Sequence, residues 1–280
     1  MGRFNEPPPR PFLKWAGGKR QLLPELLSAV AAAKPFRRYH EPFLGGGALF
    51  FALARTGQLN KTSYLSDVNT SLIEAYLGIR HELGPVLSLL KAHKVKHCEA
   101  HYYSVRGRLP HSLAERAARI IYLNRACYNG LYRENSKGLF NVPFGRHTNP
   151  TIADEENLPA VSQALASARI EERDFTTVLQ VAKSGDLVYF DPPYHPVSDT
   201  AYFTKYSRDG FDESSQQELA KVFELLAQRG VNVMLSNSMT EFTRRLYKNH
   251  RIYQVWAPRS VNRMADRRGK VAEALITVFP

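Results

Sequence analysis

Asp191-Pro192-Pro193-Tyr194 follows directly on the apolar run Leu187-Val188-Tyr189-Phe190. A carboxylate and an aromatic ring therefore stand where a buried strand ends. The two prolines stop the sheet ladder there, because neither can donate a backbone N–H. The expected result is a stiff corner that presents Asp191 and Tyr194 at the mouth of a sheet. Turn chemistry also accounts for the aspartate and prolines, with the tyrosine merely covering the core, so the tetrapeptide alone leaves both readings open.

A second candidate is the glycine turn Phe43-Leu44-Gly45-Gly46-Gly47, set between a short strand candidate and a helix. Glycines at such a turn let a ligand approach the backbone N–H groups of the helix start. Asp67 follows Gly47 by twenty residues and closes the next strand candidate, the place from which a carboxylate takes the ribose hydroxyls of a nucleoside. The alternative is a plain turn with a capping aspartate. Phe50 replaces the third glycine of the dinucleotide fingerprint, which argues against a nicotinamide enzyme. The turn at Trp15-Ala16-Gly17-Gly18-Lys19 lacks the first glycine and the Ser/Thr of a P-loop. Trp15 there could form a wall of a cofactor pocket or simply start a helix.

The elements that must hold these residues alternate. Helix candidates at 20–33, after Gly47 and at 69–83 are separated by strands at 38–41 and 62–67. After the apolar strand at 187–190 come a helix near 213–229, a strand at 231–237, a helix near 239–249 and strands at 251–256 and 272–279. Such alternation at both ends predicts a doubly wound α/β sheet. The middle is helical and loop-rich. The expected organisation is a flexible lead-in over 1–10, a catalytic domain over 11–84 and 161–280, and an inserted recognition domain over 85–160.

Charge points to the partner. The 280 residues carry 38 Lys and Arg against 26 Asp and Glu, a net charge of +12. Residues 91–150 hold eleven Lys/Arg and three Asp/Glu, and 244–270 hold nine against one. Two basic zones interleaved with aromatics suit a nucleic acid. No apolar stretch reaches the ~20 residues of a membrane span, and the two cysteines fit a reducing cytoplasm rather than a disulfide framework. His93, His97 and His101 recur every fourth residue, a metal-ligand spacing, but within a lysine-rich stretch without a carboxylate cage. A solvated basic face is the expectation there, and no metal.

Taken together, the stretches FLKWAGGK (12–19), EPFLGGG (41–47), SDVN (66–69), YLNRACYNGLYR (122–133), FNVPFGR (140–146), RDF (173–175), DPPY (191–194) and SNS (236–238) resemble the Dam-type DNA adenine-N6 methyltransferases over nearly the whole chain. The resemblance implies a Rossmann-like sheet using S-adenosylmethionine, with no metal, and a target-recognition segment placed between the glycine turn and the catalytic tetrapeptide. It implies that the Asp191 carboxylate and the Pro192 carbonyl accept the two N–H bonds of an extruded adenine while Tyr194 stacks on the base. Trp15, Ala16, Gly17, Lys19, Phe43, Gly45, Gly47, Asp67, Asp174, Phe175 and Asp191 would contact the cofactor. Tyr128, Asn129, Leu131 and Arg133 would read bases in duplex DNA, with Lys14 and Asn124 as further contacts. Arg125, Lys137 and Arg146 would meet phosphates. GATC is the implied target. A monomer or weak dimer, with or without a cognate restriction endonuclease, is the implied state. Cys127 and His147 depart from the family's usual glycine and tyrosine. The rivals are a cytosine-N4 or RNA methyltransferase and a catalytically silent DNA-binding protein; the intact tetrapeptide argues against the last.

Overall fold

The structure, a computed structural model, describes residues 7–15, 17–33, 35–59, 61–135, 138–195, 211–258 and 270–279. Seven strands lie in one sheet in the order β3-β2-β1-β4-β5-β7-β6. β1 (Tyr39–Glu41) pairs in parallel with β2 (Tyr64–Asp67) and with β4 (Leu187–Phe190), and β4 pairs in parallel with β5 (Asn232–Ser238). β7 (Lys270–Val278) runs antiparallel to β5 and to β6 (Arg251–Pro258). The strand order reverses between β1 and β4, and such a switch leaves a crevice at the carboxyl ends of the strands. The fold is therefore the expected Rossmann-like α/β sheet. Every residue of β4 and β5 is buried, as covering on both faces requires; β4 accordingly reads as an apolar run, while β5 keeps an apolar centre, Val233-Met234-Leu235, between polar ends. β3 (Arg169–Glu172) escapes sequence reading because only Ile170 of its four residues is buried.

The chain divides into two compact units. One comprises residues up to Gly18 together with Gly45–Gln58 and Asp67–Glu172; the other comprises Lys19–Leu44, Leu59–Ser66 and Arg173 onward. The second unit carries β1, β4, β5, β6 and β7 with α1 (Leu23–Ala32), α8 (Val178–Val181), α9 (Glu213–Gln228) and α10 (Glu241–Leu246). Its core sets Leu219, Val222, Phe223 and Leu226 of α9 against Val188, Phe190, Val233, Leu235 and Ile276. Those four helical residues recur at the spacing of one apolar face.

The first unit holds α2 (Ala48–Arg55), α3 (Thr70–His81), α4 (Leu83–Val95), α5 (Glu99–Gly107), α6 (Leu113–Ala126), α7 (Asn157–Leu165) and β3. It is larger than the 85–160 insertion expected from sequence, because α3 packs on both α6 and α7. The approach is close: a Cβ on Gly78 of α3 would lie 2.3 Å from the Ala117 Cβ of α6. Two caps fix helix starts. Asn69 accepts the Leu72 N–H at 2.8 Å, and Ser112 with Glu115 forms a capping box on α6. The expected lead-in also ends early, since Arg10 is fastened to Asp154 at 3.0 Å and to both amide atoms of Asn157.

The histidines at 93, 97 and 101 do not line one helix. α4 stops at Val95, and Cys98 caps α5 by accepting the His101 N–H. The rings turn inward around Tyr122: His93 stacks on it at 4.8 Å and meets His101 at 3.0 Å, while His97 reaches its hydroxyl at 3.2 Å. Burial first, then neighbouring positive charge, lowers the His93 pKa to about 4. This is a packed cluster of rings, in place of the expected solvated face. Among the described residues no group of three or more His, Cys, Asp or Glu could hold a metal ion, and no helix is long and apolar enough to cross a membrane.

Candidate active site and recognition loop

In the second unit the chain leaves β4 at Phe190 and turns through Asp191-Pro192-Pro193-Tyr194. Lys19, in the turn of 3₁₀ helix before α1, is only 6% exposed and sets its Nζ 2.9 Å from the Asp191 carboxylate, whose side chain is 20% exposed. The same ammonium lies 4.4 Å from the centre of the Tyr194 ring, a cation–π distance. Burial raises the Asp191 carboxyl to about 6, against the pull of Lys19 and with a further push from Glu273. A carboxylate so placed is under-satisfied and takes up hydrogen-bond donors. The Pro192 carbonyl, next in the chain, accepts no hydrogen bond from the described residues. The corner thus presents two acceptors beside a ring.

The corner is held from behind by residues that sequence reading left without roles. Gln216 of α9 donates to the Pro193 carbonyl at 2.9 Å, and Asn237 of β5 donates to Gln216 at 2.9 Å. Asn237 also accepts the His195 N–H at 3.1 Å, and the Ser238 hydroxyl donates to the His195 carbonyl. Gln216 and Asn237 are fully buried polar residues, and such amides are kept where every group has a partner. The signal was present in the polar Ser236-Asn237-Ser238 ending an otherwise apolar strand; Gln216 had none. At the tip, the Tyr194 hydroxyl donates to Glu273 of β7 at 2.6 Å. Phe43, also in this unit, packs between Phe175 at 5.3 Å and Phe211 at 5.6 Å. Asp174 is exposed and caps its own turn by accepting the Thr176 N–H at 2.9 Å.

In the first unit, Gly45 and Gly47 take φ of +46° and +65°, values that favour glycine. They answer first to local packing. A Cβ at Gly45 would come within 2.9 Å of the Trp15 ring, and one at Gly47 within 2.8 Å of the Tyr76 hydroxyl, which itself donates to the Gly45 carbonyl at 3.1 Å. Asp67 accepts the Gly45 N–H through one oxygen and the Asn69 N–H through the other, each at 3.0 Å. The Val68 backbone N–H also acts on this carboxylate, which still keeps acceptor capacity for a further donor, and burial raises its pKa above the ordinary value. These acceptors suit the hydroxyls of a ribose, so the turn fits a nucleoside-bearing cofactor. Gly17, at φ +77°, lies exposed near Trp15 in sequence. Ala16 and Lys137, both expected at the site, lie outside the described residues.

The same unit builds the loop that carries the expected base-reading residues. After α6 the chain makes a bridge between Cys127 and Phe144 and a second between Glu134 and Phe140. Tyr128, Asn129, Leu131 and Arg133 all project to solvent, whereas Gly130 is buried and Tyr132 packs 4.7 Å from Trp15. Asn129 and Gly130 turn the loop with φ of 56° and 63°. Arg133 is steadied through its Nε by Asn141 at 2.7 Å. Asn124 stands apart from its expected DNA contact. It is fully buried, accepting the Lys14 N–H at 2.7 Å and donating to the Lys14 carbonyl at 2.8 Å. It positions Lys14 instead. Lys14, Arg125 and Arg146 converge with His147 on one polar cavity of about 430 Å³. Arg125 also donates to the Phe12 carbonyl at 2.7 Å. Cys127 is buried, and desolvation raises its thiol to about 11, which makes it packing rather than a nucleophile.

Comparison with known proteins gives the family. The family model for D12 class N6 adenine-specific DNA methyltransferases matches residues 15–261. A type II methyltransferase, M1.LlaDCHI of Lactococcus lactis, is 41% identical over 96% of this chain and 95% of its own length. M.MjaIII of Methanocaldococcus jannaschii, also a type II methyltransferase, is 38% identical over 92% and 95%. The DNA adenine methylase of Escherichia coli K12 is 33% identical over 97% and 96%. An acidic, proline-stiffened corner on a Rossmann-like sheet, a ribose-suited turn and an exposed basic loop thus accompany a match along most of the sequence, and the chain belongs to the D12 class of N6 adenine-specific DNA methyltransferases.

Proposed function

We propose that the protein methylates N6 of the adenine in duplex GATC after that base has been extruded from the helix. The observation that carries the chemistry is the corner itself: an under-satisfied Asp191 carboxylate, the neighbouring Pro192 carbonyl and the Tyr194 ring, stiffened by two prolines and braced by Gln216 and Asn237. Adenine's amino lone pair is delocalised into the ring and is a poor nucleophile. Asp191 and the Pro192 carbonyl accept its two N–H bonds, which concentrates the lone pair on nitrogen, and positioning with fixed dipoles supplies most of the rate. S-adenosylmethionine supplies an electrophilic methyl group on a positively charged sulfur. Once the amino nitrogen has accepted that methyl group, its surplus proton leaves by way of the Asp191 carboxylate, whose raised pKa fits it to take a proton. Tyr194 stacks on the base and offsets part of the cost of unstacking it, a few kcal/mol. The Gly45–Gly47 turn, Asp67 and Trp15 hold the nucleoside part of the cofactor, with Lys19, Phe43, Asp174 and Phe175 as further contacts.

Recognition falls to the exposed face of the loop. Arg133 pairs with guanine, a contact worth about 1–3 kcal/mol of discrimination. Tyr128, Asn129 and Leu131 enter the duplex beside it. Lys14, Arg125 and Arg146 meet phosphates, which set register without reading sequence. The test is methyl transfer from labelled S-adenosylmethionine to duplexes that contain GATC or a scrambled site. Transfer confined to GATC, with Asp191→Ala losing at least about a hundredfold in kcat while still binding DNA, is the expected result. Equal transfer to both duplexes overturns the sequence assignment, and wild-type turnover by Asp191→Ala overturns the clamp.

A further inference from the structure

We propose that Glu273 on β7 is a positioning residue for methyl transfer, accepting the Tyr194 hydroxyl so that the ring plane is set before a base arrives. The inference rests on the reading of Asp191–Tyr194 as a base clamp. Tyr194 belongs to no strand; its ring is carried on a loop and has two rotatable bonds of its own. Behind it the loop is tied down at His195 by Asn237 and Ser238, which fixes the backbone but not the ring. The ring is fixed by its two other contacts: the Lys19 ammonium 4.4 Å from its centre and the Glu273 carboxylate 2.6 Å from its hydroxyl oxygen.

Glu273 is well placed for that duty. It sits in register with Ser238 of β5 on one side and Val255 of β6 on the other, so its backbone is held by ladders on both sides. It is also the one charged residue in the stretch Val271-Ala272-Glu273-Ala274-Leu275-Ile276-Thr277-Val278. A carboxylate partly buried in such a strand costs desolvation and is retained for what it binds. Burial and the flanking carboxylates hold the Tyr194 phenol protonated, so it is a donor to Glu273 at any working pH. A hydrogen bond to an ionised acceptor is roughly twice as strong as a neutral one. The placement has an electrostatic side as well. The groups that act on the charge of Asp191 are Lys19, which favours ionisation, and Glu273, which opposes it; Tyr39, Tyr189 and Tyr194 lie near and are kept neutral by burial.

The experiment is a double-mutant cycle with Tyr194→Phe and Glu273→Ala, read as kcat on a GATC duplex. Each single change is expected to lower kcat about tenfold to a hundredfold, the rate equivalent of one charge-assisted hydrogen bond, with little change in KM for DNA. The double variant should be no slower than the slower single one, because both remove the same bond. Glu273→Gln, whose amide oxygen still accepts the hydroxyl, should recover most of the kcat. Because it removes a negative charge near Asp191, it should also move the acid limb of kcat/KM to lower pH. Losses that multiply in the double variant, or wild-type kcat in Glu273→Ala, overturn the positioning role while leaving the methyltransferase reading intact. Absence of methyl transfer by the wild-type chain overturns both.

Discussion

Two carboxylates flank β4, one at each end, and the protein treats them in opposite ways. Asp186, just before the strand, is 1% exposed and fully engaged. It accepts from Arg38 Nη2 at 2.6 Å, from His40 at 3.0 Å and from the Lys183 N–H at 2.9 Å. Burial works against its ionisation, yet the donors from His40, Arg38 and Lys183 outweigh it and hold the carboxyl at about 2. Asp191, just after the strand, is held up at about 6 by burial, with Lys19 as its opposing partner and Glu273 as an added repulsion. Four residues of strand separate a saturated carboxylate from an unsaturated one. The first ties the ends of β1 and β4 together; the second keeps acceptor capacity open for chemistry.

Removing the first should cost the most. Asp186→Asn leaves the partly exposed Arg38 without its counter-ion and weakens the bonds from His40 and Lys183, a loss at the upper end of about 1–3 kcal/mol, and urea denaturation at pH 7.5 should show it. The wild-type group has a folded pKa lowered from 3.8 to about 2. Its contribution is therefore present above pH ~4 and lost as pH falls towards 2, at about 1.4 kcal/mol for each tenfold weakening of proton affinity on folding. The deficit of the variant should narrow over that window. An unchanged stability at pH 7.5 would erase the contrast. The next effect in size is kinetic. On the proposed mechanism Asp191 is the strong acceptor, and can take the surplus proton, only when ionised; its raised pKa means that form is lost as pH falls through about 6. The kcat/KM profile should fall about tenfold per pH unit below that point. An acid limb centred near 4 would mean that Asp191 is as well satisfied as an ordinary surface carboxylate. Smallest is Asn237→Ala, which unties His195 and Gln216 from each other. About 1–3 kcal/mol for the unsatisfied groups should appear as slower turnover with DNA affinity retained, and an unaltered kcat would show that the prolines alone stiffen the corner.

Much of the open end was legible in the sequence, and the residues that brace it were not. Asp191-Pro192-Pro193-Tyr194 is contiguous, and turn-forming residues after an apolar run announce themselves. The spacing from Gly47 to Asp67 is likewise local, one helix and one strand. Glu273, Gln216 and Asn237 reach the corner only through strand pairing and helix packing, 23 to 79 residues along the chain; the polar run at 236–238 marks Asn237 as unusual, but no local pattern says what it touches. The histidine stretch misled for a related reason. Every fourth residue spells one helix face only if the helix is continuous, and the cap at Cys98 breaks it. Asn124 was misjudged because a polar residue in a recognition segment reads as exposed, while its amide is engaged by the backbone of a segment 110 residues away.

That last pairing matters for anyone who would re-engineer the target site. A Cβ on Gly130 would fall 2.1 Å from the Lys14 Cδ, and the Asn124 amide that holds the Lys14 backbone also reaches the Gly130 carbonyl at 3.4 Å. The residues from Phe12 to Trp15 therefore serve as the mould on which the loop is cast. A loop transplanted from a relative without that N-terminal strip would land on a foreign template, so chimaeras should exchange the two pieces as one cassette.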